Sequence, residues 1–119
     1  FKNVAKNLWM NENNLIDIGN KGHTIGLHSY SHPTKISKLT INDQKCEYKM
    51  NLEHLTTIIQ KEIKSMSHPC GDYNDQTLQI LKDIGIEIGF RSNLSVPIIR
   101  SSLEVPRENH ANILREINS

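Results

Sequence analysis

Cysteine is scarce in this chain. Cys46 and Cys70 are the only two, too few for a disulfide framework, and both read as unpaired thiols. No charge of one sign dominates: fourteen basic and thirteen acidic residues leave a formal charge of +1, so there is no electrostatic case for nucleic acid or an anionic membrane surface. No apolar run approaches the roughly 20 residues that a membrane-spanning helix needs. Hydrophobic residues make up 36%, low for a globular domain, yet 119 residues suffice for one domain with a real core. That length is short for a complete barrel. The chain begins Phe1-Lys2-Asn3, with neither an initiator Met nor an apolar leader segment, so it reads as a processed or excerpted piece and points to no compartment. Repeats and low-complexity tracts are also missing.

What is present is an alternation of helical and extended signals. Asn11 to Asn20 reads as a short helix, capped by Asn11 or Asn13 and stopped by Gly22, with Leu15 and Ile18 as its apolar pair. His23–Leu27 follows as a strand, and residues 29–38 as a polar loop. A second helix starts near Thr40 to Asn42 and runs to about Ile63, with Cys46, Met50, Leu52, Leu55, Ile58 and Ile59 as its apolar positions. Ile63 to Met66 can form a buried strand leading into a turn region, Ser67–Asn74. A third helix is capped by Asn74 or Asp75, carries Leu78, Leu81 and Ile84 on one stripe, and ends at Gly85. Ile86, Ile88 and Phe90 alternate with Glu87 and Gly89 as the next strand. The stretch 92–102, with Val96-Pro97-Ile98-Ile99, has no clear assignment. Leu103-Glu104-Val105 reads as a last strand stopped by Pro106, and a terminal helix spans about Asn109 to Asn118 with Ile113, Leu114 and Ile117 inward. The alternation predicts an α/β fold of parallel βα units.

The most informative segment is Gly26-Leu27-His28-Ser29-Tyr30-Ser31-His32-Pro33. Neutral imidazoles are common ligands for catalytic metals, and two this close can share one ion. On a helix the spacing would match the zinc proteases, but their general-base glutamate is replaced by Ser29, and Gly26 and Pro33 disfavour a helix. The pair is therefore expected on a loop leaving the C-terminal end of a strand, where α/β folds place their chemistry.

The stretch Lys21-Gly22-His23-Thr24-Ile25-Gly26-Leu27-His28-Ser29-Tyr30-Ser31-His32 resembles the histidine motif of the polysaccharide deacetylases, the NodB-like enzymes of carbohydrate esterase family 4. Ser67-His68-Pro69-Cys70-Gly71-Asp72-Tyr73-Asn74 is similar to that family's R-x-P-Y-G loop, and residues 77–90 to its following helix and strand. The likeness runs from about Asn11 to Arg107, and it implies part of a distorted (β/α) barrel in one domain spanning residues 1–119.

The resemblance implies that His28 and His32 hold a divalent metal, zinc first among candidates, for hydrolysis of an N-acetylated carbohydrate. It implies that the main-chain N–H of Cys70 serves as oxyanion donor, a role independent of side-chain type. Arg107, after Val105-Pro106, is the candidate for the family arginine that Ser67 replaces, and His110 the candidate general acid. The family's opening T-F-D-D motif, which supplies the base and the third metal ligand, has no counterpart: only 27 residues precede His28, and Glu12 and Asp17 match nothing in it. His23 and His54 read as structural. His68 can line the pocket, while its pairing with Cys70 as a thiol nucleophile is rejected for want of an orienting third group. Trp9 and Tyr73 can stack on a sugar or simply pack.

The expected activity is thus metal-dependent removal of N-acetyl groups, by these residues as part of a longer enzyme. One alternative is an inactive carbohydrate-binding relative. Another is a structural zinc module built from His28, His32 and either Cys70 or Cys46. A barrel seam left open by a missing strand can invite self-association or pairing with another segment.

Overall fold

The computed structural model describes residues 8–94 and 98–119; Val96 and Pro97, in the unassigned stretch, lie outside them. Its elements in chain order are α1 (Glu12–Asn20), α2 (Ile41–Ile59), β1 (Ser65–Ser67), α3 (Asp75–Asp83), β2 (Ile88–Phe90) and α4 (His110–Ile117), with short 3-10 turns at Ile36–Lys38, Pro69–Gly71 and Ser102–Glu104.

Local signals set the helix starts. Asn11 caps α1 by accepting from the Asn14 N–H, Thr40 caps α2 through the Asp43 N–H, Asn74 caps α3 through the Thr77 N–H, and Asn109 caps α4 through the Ala111 N–H. Gly22 and Gly85 take the left-handed conformation just past α1 and α3, as the sequence predicts.

β1 and β2 pair in parallel, with Met66 opposite Gly89. Single bridges extend the ladder on both sides, Leu27 to Met66 and Phe90 to Val105. The staves therefore lie in the order Leu27, β1, β2, Val105, all parallel and in chain order, with α2 and α3 as crossovers between the first three. The expected strand His23–Leu27 contributes only Leu27 to the ladder, and Leu103-Glu104 is a 3-10 turn from which Val105 enters it.

Three other faces differ from expectation. α2 stops at Ile59, where Gln60 turns left-handed, and it buries Gln44, Tyr48 and Asn51, leaving Cys46 and Met50 exposed. In β2 it is Gly89 that turns inward, because a Cβ there would sit 2.8 Å from the Leu103 carbonyl and 3.0 Å from the Met66 sulfur. Ile88 is correspondingly half-exposed. Ile113, Leu114 and Ile117 on α4 face solvent, not the core. The core gathers Leu27, Ile36, Tyr48, Met66, Leu81 and Leu103 between the sheet and α2–α3.

Candidate functional site

A parallel ladder puts every stave's C-terminal end on the same side. His28 follows Leu27, His68 follows Ser67 and Arg107 comes two residues after Val105, so these singled-out residues lie by topology at one end of the sheet, where Arg91 also follows Phe90. A cleft of about 440 Å³ lined by Ile16, Ile25, Ile59 and Ile88 opens instead beside His23, Lys64 and Glu87, at the opposite end of the staves. The chemistry and that apolar cleft are therefore separate features.

His28 and His32 are brought together. Their ring centroids lie 4.8 Å apart at 57°, and both side chains are exposed. His28 Nδ1 is 2.7 Å from the Ser67 carbonyl oxygen. A carbonyl only accepts, so Nδ1 carries the proton and Nε2 keeps the lone pair a metal needs. The loop between them is tightly wound: Ser29 and His32 both have positive φ, 63° and 57°. Left-handed backbone costs a non-glycine residue roughly 1–2 kcal/mol, so the turn must be held by its contacts. The His32 N–H donates to Ser29 Oγ, and the His28 N–H donates to Asn51 Oδ1 on α2.

The two imidazoles are neighbours on the loop, as the sequence expects of a ligand pair. Among the described residues no group of three or more His, Cys, Asp or Glu side chains could hold a metal ion. The module with Cys46 or Cys70 as third ligand is therefore not assembled there, and both thiols are free and exposed.

Pro69-Cys70-Gly71 forms the turn after β1. Cys70 is left-handed at φ 54°, and the Gly71 and Asp72 N–H groups donate back to the His68 and Pro69 carbonyls. Gly71, also at positive φ, admits no Cβ because Ser92 Oγ occupies that space. Asp72 Oδ2 accepts from the Ser37 N–H at 2.8 Å and Asn74 Nδ2 donates to the Ser37 carbonyl, which fastens this turn to the far half of the histidine loop.

Arg107 and His110 share a cleft of about 460 Å³ with Ser92, Glu108 and Asn109. Arg107 Nε donates to the Arg91 carbonyl at 2.8 Å. No hydrogen bond or ring contact among the described residues joins this pair to His28 or His32.

His68, expected to line the pocket, is buried at 1% exposure. Its Nε2 lies 2.8 Å from the Leu103 carbonyl, and its ring stacks on Tyr73 at 4.3 Å. Burial pulls its pKa below the usual value. Tyr73 is thereby committed to packing, and its hydroxyl donates to Glu104 Oε2 at 2.5 Å. Burial and that carboxylate push the Tyr73 phenol up to about 12. For Glu104, 2% exposed, burial raises the pKa but the Tyr73 hydroxyl and Arg100 outweigh it, leaving the group below its usual value. Trp9 is exposed, as is His54, whose ring meets Tyr30 edge-on at 6.2 Å.

Sequence reasoning missed Glu47, Asn51 and Arg91. Arg91 places its guanidinium 5.6 Å over the Tyr73 ring. The signal for Asn51 was a polar residue on the inward stripe of α2, in step with Gln44 and Tyr48.

The sequence matches the family described as "Polysaccharide deacetylase" over residues 2–89. No curated protein matches. Among solved structures, a Streptococcus pyogenes deacetylase, PplD, in complex with acetate is similar at 21% identity with a TM-score of 0.73, over 89% of this chain and 50% of that one. The BpsB deacetylase domain from Bordetella bronchiseptica gives 15% and 0.72, over 84% and 48%. BA3943 from Bacillus anthracis, a CE4 family pseudoenzyme, gives 18% and 0.61, over 64% and 27%. At these identities the likeness establishes the fold, an unclosed part of the deacetylase barrel. This chain spans about half the length of the first two.

Proposed function

The chain belongs to the polysaccharide deacetylase family, and from that premise we propose that it supplies the histidine-pair portion of a metal-dependent carbohydrate N-deacetylase site. The observation that carries the reading is the His28–His32 couple: two rings 4.8 Å apart, one with its tautomer set by the Ser67 carbonyl. His28 and His32 would hold a divalent cation, zinc first. Such an ion lowers the pKa of its water to ~7 and polarises an acyl oxygen, which an unreactive acetamide requires. The Cys70 N–H would then receive the developing oxyanion, a task for which a rigid main-chain donor in a tight turn is suited. Arg107 and His110, in one cleft past the end of the sheet, are the candidates for charge stabilisation and for protonating the leaving amine. The base and a third ligand would come from chain outside the described residues. The substrate class is an N-acetylated amino-sugar polymer or glycoconjugate, and the open sheet edge would accept a further segment or a second copy.

A second reading, an inactive carbohydrate-binding relative, is favoured by Ser67 standing where the family carries an arginine.

Elemental analysis tests the metal claim. The wild-type chain should bind zinc and the His28→Ala/His32→Ala variant should not; equal content in both would remove the assignment. Acetate release from chitooligosaccharides or peptidoglycan fragments by the full-length protein separates the enzyme from the inactive relative.

A further inference from the structure

We infer that Glu47 is a positioning residue for the histidine loop, holding from α2 the turn that sets the distance between His28 and His32. This inference rests on the metal reading above and names what keeps that pair in place.

Glu47 directs its carboxylate at the loop. Oε2 accepts from the Tyr30 N–H at 3.0 Å and the Ser31 N–H at 2.8 Å, and Oε1 accepts from Ser31 Oγ at 2.6 Å. Asn51, one turn further along the same helix, accepts the His28 N–H. With Ser29 Oγ taking the His32 N–H, the main-chain donors at 28, 30, 31 and 32 each have a named side-chain acceptor. Three of the four come from two residues of α2.

The arrangement matters because the turn is strained. Ser29 and His32 both sit in the left-handed region, with Tyr30 and Ser31 between them. Released from its acceptors, this segment can relax toward ordinary backbone angles, which would swing the two rings apart. An ionised acceptor makes the hydrogen bonds stronger than a neutral one would. The base of this clamp is rigid: neighbouring Tyr48 is fully buried, and Gln44 is fixed by the Leu39 carbonyl and the Thr77 hydroxyl. Glu47 bonds the loop at Tyr30 and Ser31 and acts through the loop.

The test uses the full chain with Zn²⁺ as the probe, comparing wild type with Glu47→Ala, Glu47→Gln and Glu53→Ala. Glu53→Ala removes a carboxylate from an exposed position on the same helix. Glu47→Ala should weaken zinc binding by calorimetry about 10–100-fold, the usual penalty for losing a group that orients a ligand. Glu47→Gln, which keeps one oxygen for the two N–H donors and can donate to Ser31 Oγ, should recover most of the affinity. Glu53→Ala should bind as wild type. In metal-free protein, hydrogen exchange at Tyr30 and Ser31 should quicken in Glu47→Ala while the α3 amides keep their protection. A general loss of stability would not give that local pattern. Wild-type zinc affinity and wild-type exchange in Glu47→Ala would overturn the inference. Zinc binding that survives loss of both histidines would overturn the metal reading instead, and this role with it.

Discussion

His68 gives one ring nitrogen to the Leu103 carbonyl and buries the other with no hydrogen-bond partner among the described residues. Burial holds its pKa below 6.5, so in the window just under that value the unfolded chain binds a proton that the folded chain refuses. The stability contributed by neutral His68 should therefore be complete above pH of about 6.5 and decline as pH falls through that window. Glu104 adds a second decline at lower pH, since its folded carboxyl is held below its unfolded value and its contribution is lost as it protonates. Urea midpoints followed from about pH 8 down to about pH 2.5 should show both steps, and His68→Gln should remove only the upper one. Tyr73→Phe withdraws a donor from buried Glu104 and should cost about 1–3 kcal/mol. It should also move the lower step to higher pH; an unchanged profile would discard this account. The histidine pair was legible in the sequence because two identical ligands and their flanking Gly26 and Pro33 are local. The groups that orient it were not. Asn51 and Glu47 meet the loop 23 and 16–17 residues away, and no local pattern encodes such contacts.

Helix starts were readable for the same reason that caps are local chemistry, and they differ in how much each holds. Asn74 accepts from the Thr77 N–H, gives its own main-chain N–H to the Thr77 hydroxyl and donates from its side chain to the Ser37 carbonyl, so it joins α3 to the histidine loop. Asn11 caps an α1 that buries no residue. Both Asn→Ala changes fall in the range of about 0.5–2 kcal/mol for a lost cap, with Asn74→Ala near the top and Asn11→Ala near the bottom. Thermal unfolding of the two variants checks the order, and a larger loss at Asn11 would contradict it. Helix faces were harder to read than helix ends. On α2 a buried Gln44 is satisfied by Thr77 from α3, so polarity does not mark the outside there. In β2 a close approach of the Leu103 backbone selects Gly89 as the inward residue, against the alternation of Ile86, Ile88 and Phe90.

At the scale of the whole molecule, the described staves make an open sheet. Leu27 stands at one side of the ladder and Val105 at the other. The chain exposes 8437 Å², whereas a compact monomer of its mass exposes about 6,600 Å². Its radius of gyration is 15.9 Å, against about 13.5 Å for a compact chain of this length. The excess surface is of the order that a stable protein interface buries, roughly 1,200–2,000 Å². Ile113, Leu114 and Ile117 on α4 are further exposed apolar area. An uncovered edge of this kind is a template for another strand. The expected outcome is that these 119 residues alone associate as concentration rises, giving a concentration-dependent sedimentation coefficient. Joined to the remaining half of a deacetylase-length chain, the same residues should sediment as a monomer, because the added staves would cover the edge in cis. A monomer at every concentration for the isolated chain would mean that the exposed edge is protected by its own residues, and that the sheet needs no partner to stay open.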